Sequence, residues 1–152
     1  MSPRSADPAV RSALVEAAAR LVAGEGPRAL TTRRLAAEVG TSTMAVYTHF
    51  GSMDEVRRAV RRDGFARLDA DLDAVARSDD AVADLAAGGA VYFANGLAHP
   101  ELYRAMFVDR PPAGDDDDLG AGLFARLVEA VRRCIAAGRF HPVEPSLSVG
   151  WA

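Results

Sequence analysis

Apolar residues recur along this chain at three- and four-residue spacings, and the pattern predicts helices throughout and an all-α fold. Val10, Leu14, Ala17, Ala18, Leu21 and Val22 share one face of a first helix over about 8–23. Asp7 is placed to cap that helix, Pro8 suits its first position, and Gly24 and Gly26 close it. Leu35, Ala36 and Val39 mark a short second helix, capped by Thr31 and ended by Gly40. Ser42 caps a third through about residue 50, in which Val46 and Phe50 face inward. Residues 52–55, SMDE, have the form of a capping box, with the Ser52 hydroxyl taking the Glu55 amide and the Glu55 side chain reaching back. The fourth helix they open should reach about residue 77, with Val56, Val60, Leu68, Leu72 and Val75 along one side. Gly64 lies inside it, as a weak point or a place of close helix approach.

A fifth helix is expected over 80–97, a short sixth over 101–107, and a seventh over about 119–137, stopped by Gly138. In the seventh, Leu123, Phe124, Leu127, Val131 and Ile135 should point inward. Residues 109–118, DRPPAGDDDD, read as an acidic loop. A further helix starts near Pro145, and Leu147, Val149 and Trp151 open an apolar face at the last residues, so the expectation is a fragment of a longer protein.

The chain's 152 residues are 49% apolar, enough to bury a core. The net charge of −3 hides an asymmetry: residues 1–67 carry eleven arginines against seven acids, and 68–152 carry seven against fourteen. A polyanion would be drawn to the first half and repelled by the second, although charge alone does not separate this from two unrelated solvated surfaces. The single cysteine, Cys134, has no internal disulfide partner, which fits a reducing cytoplasm. No secretory segment opens the chain, and the apolar run over 85–98 is too short for a membrane crossing and is interrupted by Asn95. His49, His99 and His141 are too scattered to suggest a metal site, and no Gly-rich phosphate loop or nucleophile elbow appears. The run Asp115 to Asp118 lacks the alternation of a calcium loop. Neither a catalytic site nor a bound cofactor is expected.

The most patterned stretch, residues 30–56, LTTRRLAAEVGTSTMAVYTHFGSMDEV, is two short helices meeting at a glycine, the helix-turn-helix arrangement. Ala36 and Gly40 should keep the elbow close. With Leu35, Ala36, Val39, Val46 and Phe50 turned inward, Thr43, Met44, Ala45, Tyr47, Thr48 and His49 are left facing outward. No carboxylate occurs from Gly40 to Met53, so nothing on that face would repel phosphate. A major groove about 12 Å wide accepts one helix, and Met44 or Ala45 can touch a thymine methyl. A helical hairpin with a merely solvated polar face satisfies the same pattern.

That stretch resembles the N-terminal domain of TetR-type transcriptional regulators over about residues 8–60, joining Thr31, Ala36, Gly40, Ser42, Tyr47, His49, Phe50 and Ser52 in order and spacing. The resemblance implies a helix-turn-helix DNA-binding domain over 1–52 and a helical ligand-binding and dimerisation domain over 53–152, lacking its last helices. It implies that Tyr47 and His49 contact phosphates. Thr31, Thr32 and Arg33 begin the helix that touches the backbone, Thr43, Met44, Ala45 and Thr48 occupy the base-reading face, and Ser42 at the start of that helix counts among the DNA-binding residues. Met53 stands where the family usually carries a phosphate-binding lysine, and Arg57 or Arg58 are the candidates to replace it unless, with Arg61 and Arg62, they form a solvated face.

The second half resembles the family more loosely, through HPELYRAMF and the terminal GWA. Tyr92, Phe93, Tyr103, Met106, Phe107 and Phe124 concentrate aromatics and a methionine between the fifth and seventh helices, as ordinary core or as the lining of an apolar pocket to which Tyr92 and Asn95 would add polar contacts. Taken together, the expectation is a cytoplasmic, ligand-responsive repressor rather than an enzyme. It would bind an operator in double-stranded DNA as a homodimer and be released by a small apolar or amphipathic effector. A helical protein-interaction module and a small-molecule enzyme are the rival readings.

Overall fold

A computed structural model describes residues 7–108 and 117–141, and these form seven α-helices: α1 (Pro8–Glu25), α2 (Thr32–Val39), α3 (Thr43–Phe50), α4 (Met53–Asp73), α5 (Ala81–Ala98), α6 (Pro100–Phe107) and α7 (Ala121–Ala136). Short 3-10 turns at Pro27–Ala29 and Asp117–Gly120 complete them. The expected helix near Pro145 and most of the acidic loop lie outside the described residues.

Local chemistry accounts for most of the boundaries. Asp7 Oδ1 accepts the Ala9 amide at 2.9 Å, and α1 runs on to Gly26, whose φ of +82° breaks the helix. Thr31 Oγ1 accepts from the Arg34 amide at 3.3 Å, and Gly40 ends α2 at φ +69°, ψ +33° in the left-handed region. Ser42 Oγ takes the Ala45 amide at 3.1 Å to start α3. Ser52 Oγ takes the Glu55 amide at 3.2 Å, but Glu55 pairs with Arg58 at 3.0 Å, so only half of the expected capping box forms. The fourth helix also stops at Asp73 rather than near residue 77. Beyond it the chain turns through Ser78, whose amide and hydroxyl both bond to the Asp84 carboxylate.

One hydrophobic cluster joins the two ends of this layout. Leu14, Leu35, Val46, Val56, Val60 and Leu68 are buried together with Leu102 and Met106 of α6. Gly64 makes that junction possible: a Cβ there would lie 2.7 Å from Met106 Sδ and 3.4 Å from Leu102 Cδ1. Close approach is therefore the reason for the glycine. Gly40 is different, because nothing lies within 4 Å of where its Cβ would stand. The elbow needs its positive φ, not its small size. Arg61 is buried, so the arginines of α4 are not a uniformly solvated face.

The seventh helix departs most from expectation. Phe124 is 68% exposed and Leu127 is 52% exposed, while Leu123 packs partly against the core. Cys134 is buried, its thiol donating to the Ala81 carbonyl at 3.3 Å, and this pins α7 to the start of α5. The apolar stripe of α7 is wider than α5 can cover, and among the described residues nothing else covers Phe124 or Leu127. The fifth helix begins at Ala81, and its 18 residues are long and apolar enough to cross a membrane by length and composition alone. The length argument drawn from 85–98 therefore fails. Here α5 packs against α4, α6 and α7 instead.

Candidate nucleic-acid interface and the cavity behind it

The outward side of α3 is built by what holds its inner side. Val46 and Phe50 are buried, and a helix of this length can seat only that stripe. Thr43, Met44, Tyr47 and Thr48 are left exposed, with Met44 71% exposed at the start of the helix. Ala45 and His49 are half-buried at the edge of this surface. At about 1.5 Å per residue, α3 is roughly 12 Å long. It therefore fits within the width of a major groove.

Two contacts fix this surface from α2. Tyr47 Oη lies 3.3 Å from Thr32 Oγ1, tying the phenol to the first residue of α2. Arg34 bonds to Glu25 at 2.7 Å, fastening α2 to the end of α1. Thr31 accepts the cap bond on its hydroxyl oxygen and keeps its O–H to donate, while Arg33, two residues on, is exposed. Thr48 donates its hydroxyl proton to the Met44 carbonyl at 2.9 Å, so it offers a methyl group and acceptor lone pairs, not a donor. His49 Nδ1 is enclosed with no hydrogen-bond partner. Leaving such an atom unpaired costs about 1–3 kcal/mol, and a phenylalanine or leucine would fill the space without that cost.

The cationic groups nearest the start of α4 are largely committed. Arg57 pairs with Asp54 at 2.8 Å and Arg58 with Glu55 at 3.0 Å. Met53 packs partly against the core. Arg11 of α1 lies over the Phe50 ring, its guanidinium carbon 4.8 Å from the centroid.

Behind this half, α4, α5 and α7 enclose a cavity of about 970 Å³, open on one side. Of the seven residues expected to form it, Tyr92, Phe93, Phe107 and Phe124 line it, and Asn95, Tyr103 and Met106 do not. Met106 is buried against Gly64, where it closes the α4–α6 crossing. Tyr103 stands behind the wall, its hydroxyl 3.0 Å from that of Tyr92 and its ring 4.7 Å from Phe107. Burial, and then that hydrogen bond, push the Tyr92 phenol up to about 12.

The sequence reading did not identify the charged lining. Arg126 of α7 reaches both Asp69, at 3.1 Å, and Asp73, at 2.6 Å, on α4. Its hydrogen bond to Asp73 is the main reason its pKa is raised further. Arg133 meets Asp84 at 2.9 Å and the Ser78 carbonyl at 3.1 Å. Asp84 is held below its ordinary pKa chiefly by the Ser78 hydroxyl and amide, then by Arg133. The signal available was spacing: Asp69 and Asp73 stand one turn apart, and Arg126 and Arg133 two turns apart, on one face of their helices.

Comparison with known proteins places both halves. The model for bacterial regulatory proteins of the tetR family matches residues 14–60, and one for the tetracyclin repressor-like C-terminal domain matches residues 85–151. An HTH-type transcriptional regulator of Mycobacterium tuberculosis is 35% identical over 114 residues, which cover 73% of this chain and 50% of that protein. The chain thus spans about half the length of this curated relative. A protein of unknown function from Rhodococcus sp. RHA1 superposes with a TM-score of 0.78 at 29% identity, over 88% of this chain and 72% of that one. A tetR family transcription regulator described as putative, from Shewanella sp. PV-4, gives 0.68 at 19% identity, over 85% and 71%. At that identity the likeness is one of fold.

Proposed function

The chain belongs to the TetR family of bacterial regulatory proteins, and on that premise we propose that it is a DNA-binding transcription regulator. The observation that carries this reading is the outward side of α3. It is a carboxylate-free helical surface with Tyr47 tied to Thr32, presented beyond a left-handed glycine corner. Thr31, Thr32, Arg33, Tyr47 and His49 would meet phosphates, and Ser42, Thr43, Met44, Ala45 and Thr48 would lie along base edges. As a homodimer the protein would set two α3 helices in successive major grooves about 34 Å apart, over a near-palindromic operator.

The regulator we infer is a cytoplasmic repressor, not an enzyme, and is released by a small molecule bound between α4, α5 and α7. The long α4 supports this coupling, because it packs with α1 and α3 and its last turns carry Leu72 and Asp73 into the cavity. An effector shifts the equilibrium only by binding the released arrangement more tightly than the DNA-bound one.

A salt titration of binding to a random-sequence duplex tests the reading. Each phosphate contact should contribute about 0.9 to the slope of log K against log salt, so several contacts predict a fall of orders of magnitude between 50 and 200 mM. Affinity indifferent to ionic strength would remove the nucleic-acid assignment and favour a protein-binding hairpin.

A further inference from the structure

Resting on the effector-cavity reading above, we propose that the cavity takes a lipophilic cation, with Asp69 and Asp73 of α4 as its counter-charges. Arg126 is the only guanidinium these two carboxylates share among the described residues, at 3.1 and 2.6 Å, so one negative charge on α4 is left uncompensated. Arg133 is engaged by Asp84 and by the Ser78 carbonyl, so it offers little to an anion. The remaining charged lining residues, Arg77 and Glu129, balance each other in sign.

The open wall carries the same sign preference by different chemistry. Phe93 is 69% exposed and Phe124 68% exposed, and both line the cavity. Aromatic faces attract cations and repel anions. Apolar bulk from Leu72 and Leu123 covers the inner side, so a ligand needs hydrophobic surface as well as positive charge.

This assignment also gives the ligand a lever. Arg126 is the ionic link from α7 to α4 at this point, and both of its partners lie on the helix that continues towards α3. A cation that takes over Asp69 or Asp73 competes with Arg126 and loosens the α7–α4 connection. A neutral ligand fills the same volume without that competition.

Isosteric ions give the test. Equilibrium dialysis of the 152-residue chain against tetraphenylphosphonium, tetraphenylborate and neutral triphenylphosphine oxide should show the phosphonium binding about tenfold more tightly than the borate, as expected for one partly solvent-screened charge a few ångströms away. The Asp69→Asn/Asp73→Asn pair should erase that gap while leaving triphenylphosphine oxide binding unchanged. Asp73→Asn alone, at a side chain 67% exposed, should narrow it in a variant that keeps the fold. Equal or tighter binding of the borate, or a gap that survives both variants, would overturn the cation assignment and leave the effector cavity standing. Failure of all three probes to bind would remove the cavity reading as well.

Discussion

The phenolic oxygen of Tyr47 stands 3.3 Å from the hydroxyl oxygen of Thr32, so α3 is fastened to α2 on the outside as well as through the core. The bond narrows the poses of a ring that is otherwise 46% exposed. A phenol already held in place loses less freedom when it meets a ligand.

Replacing Thr32 by valine removes the bond and keeps the shape. With a net hydrogen-bond contribution of about 0.5–1.5 kcal/mol, duplex affinity should fall roughly three- to tenfold. The melting temperature should hardly move, since both groups are at the surface. Fluorescence anisotropy on one duplex checks this. Because the two hydroxyls bond to each other, Thr32→Val combined with Tyr47→Phe should cost less than the sum of the two single losses. Additive losses would mean that each hydroxyl works independently.

At Gly40 the backbone sets the cost. Its φ of +69° is a conformation in which a side chain strains the backbone by about 1–2 kcal/mol, while the open space around it adds no clash. Gly40→Ala should therefore lower stability by about 1 kcal/mol and Gly40→Val by more, with Gly40→Asn the mildest because asparagine tolerates this region. Urea denaturation of the three variants should return that order. Equal losses would show that the left-handed corner is not what the glycine supplies.

How legible each part was depends on whether its cause is local. Asp7, Thr31, Ser42 and Ser52 all cap the helices they were expected to cap, because a cap is settled within three residues. Gly64 was read as either a defect or a close approach, and the partner that decides, Met106, lies more than forty residues away. Phe124 and Leu127 were expected inside because α7 carries a clear apolar stripe. A stripe says that something should cover it, not that the neighbouring helix does. The clamp from Arg126 to Asp69 and Asp73 went unread for the same reason, since nothing in either segment names the other. On α3 the outward placing of Thr43, Met44, Tyr47 and Thr48 was legible because its complement, Val46 and Phe50, is fixed by helical period, whereas Ala45 and His49, also expected outside, flank that buried stripe and are half-buried.

Gly64 and Met106 should prove energetically coupled. A methyl group at position 64 meets Met106 Sδ at 2.7 Å and Cγ at 3.1 Å, so the methionine must swing away or α6 must shift. Overpacking of this kind costs about 1–3 kcal/mol. Met106→Ala alone should cost about 2–5 kcal/mol as a cavity. If the clash is with that side chain, Gly64→Ala should be nearly neutral in the Met106→Ala background. A double-mutant cycle by thermal denaturation reads the coupling directly. Full additivity would place the strain elsewhere on the α4–α6 contact.

Tyr92 connects the cavity wall to a measurable titration. Its phenol is raised from 10.0 to about 12, first by burial and then by the hydrogen bond with Tyr103. Raising the folded-state pKa of an acid means that the folded protein resists losing the proton that the unfolded chain gives up near pH 10. The contribution to stability is therefore complete below pH 10, declines as pH rises above it, and is gone beyond pH 12. Phenolate absorbance near 295 nm in the folded protein should show a late step belonging to Tyr92, and Tyr92→Phe should remove it. Tyr103→Phe keeps the burial and abolishes the hydrogen bond, so the late step should move part of the way back towards 10. A neutral ligand seated against Tyr92 would exclude more water and delay the step further, whereas a cation there would also favour the phenolate and draw the step back. A ligand bound elsewhere would leave it where it is, so the same titration reports whether a molecule that releases DNA occupies this cavity.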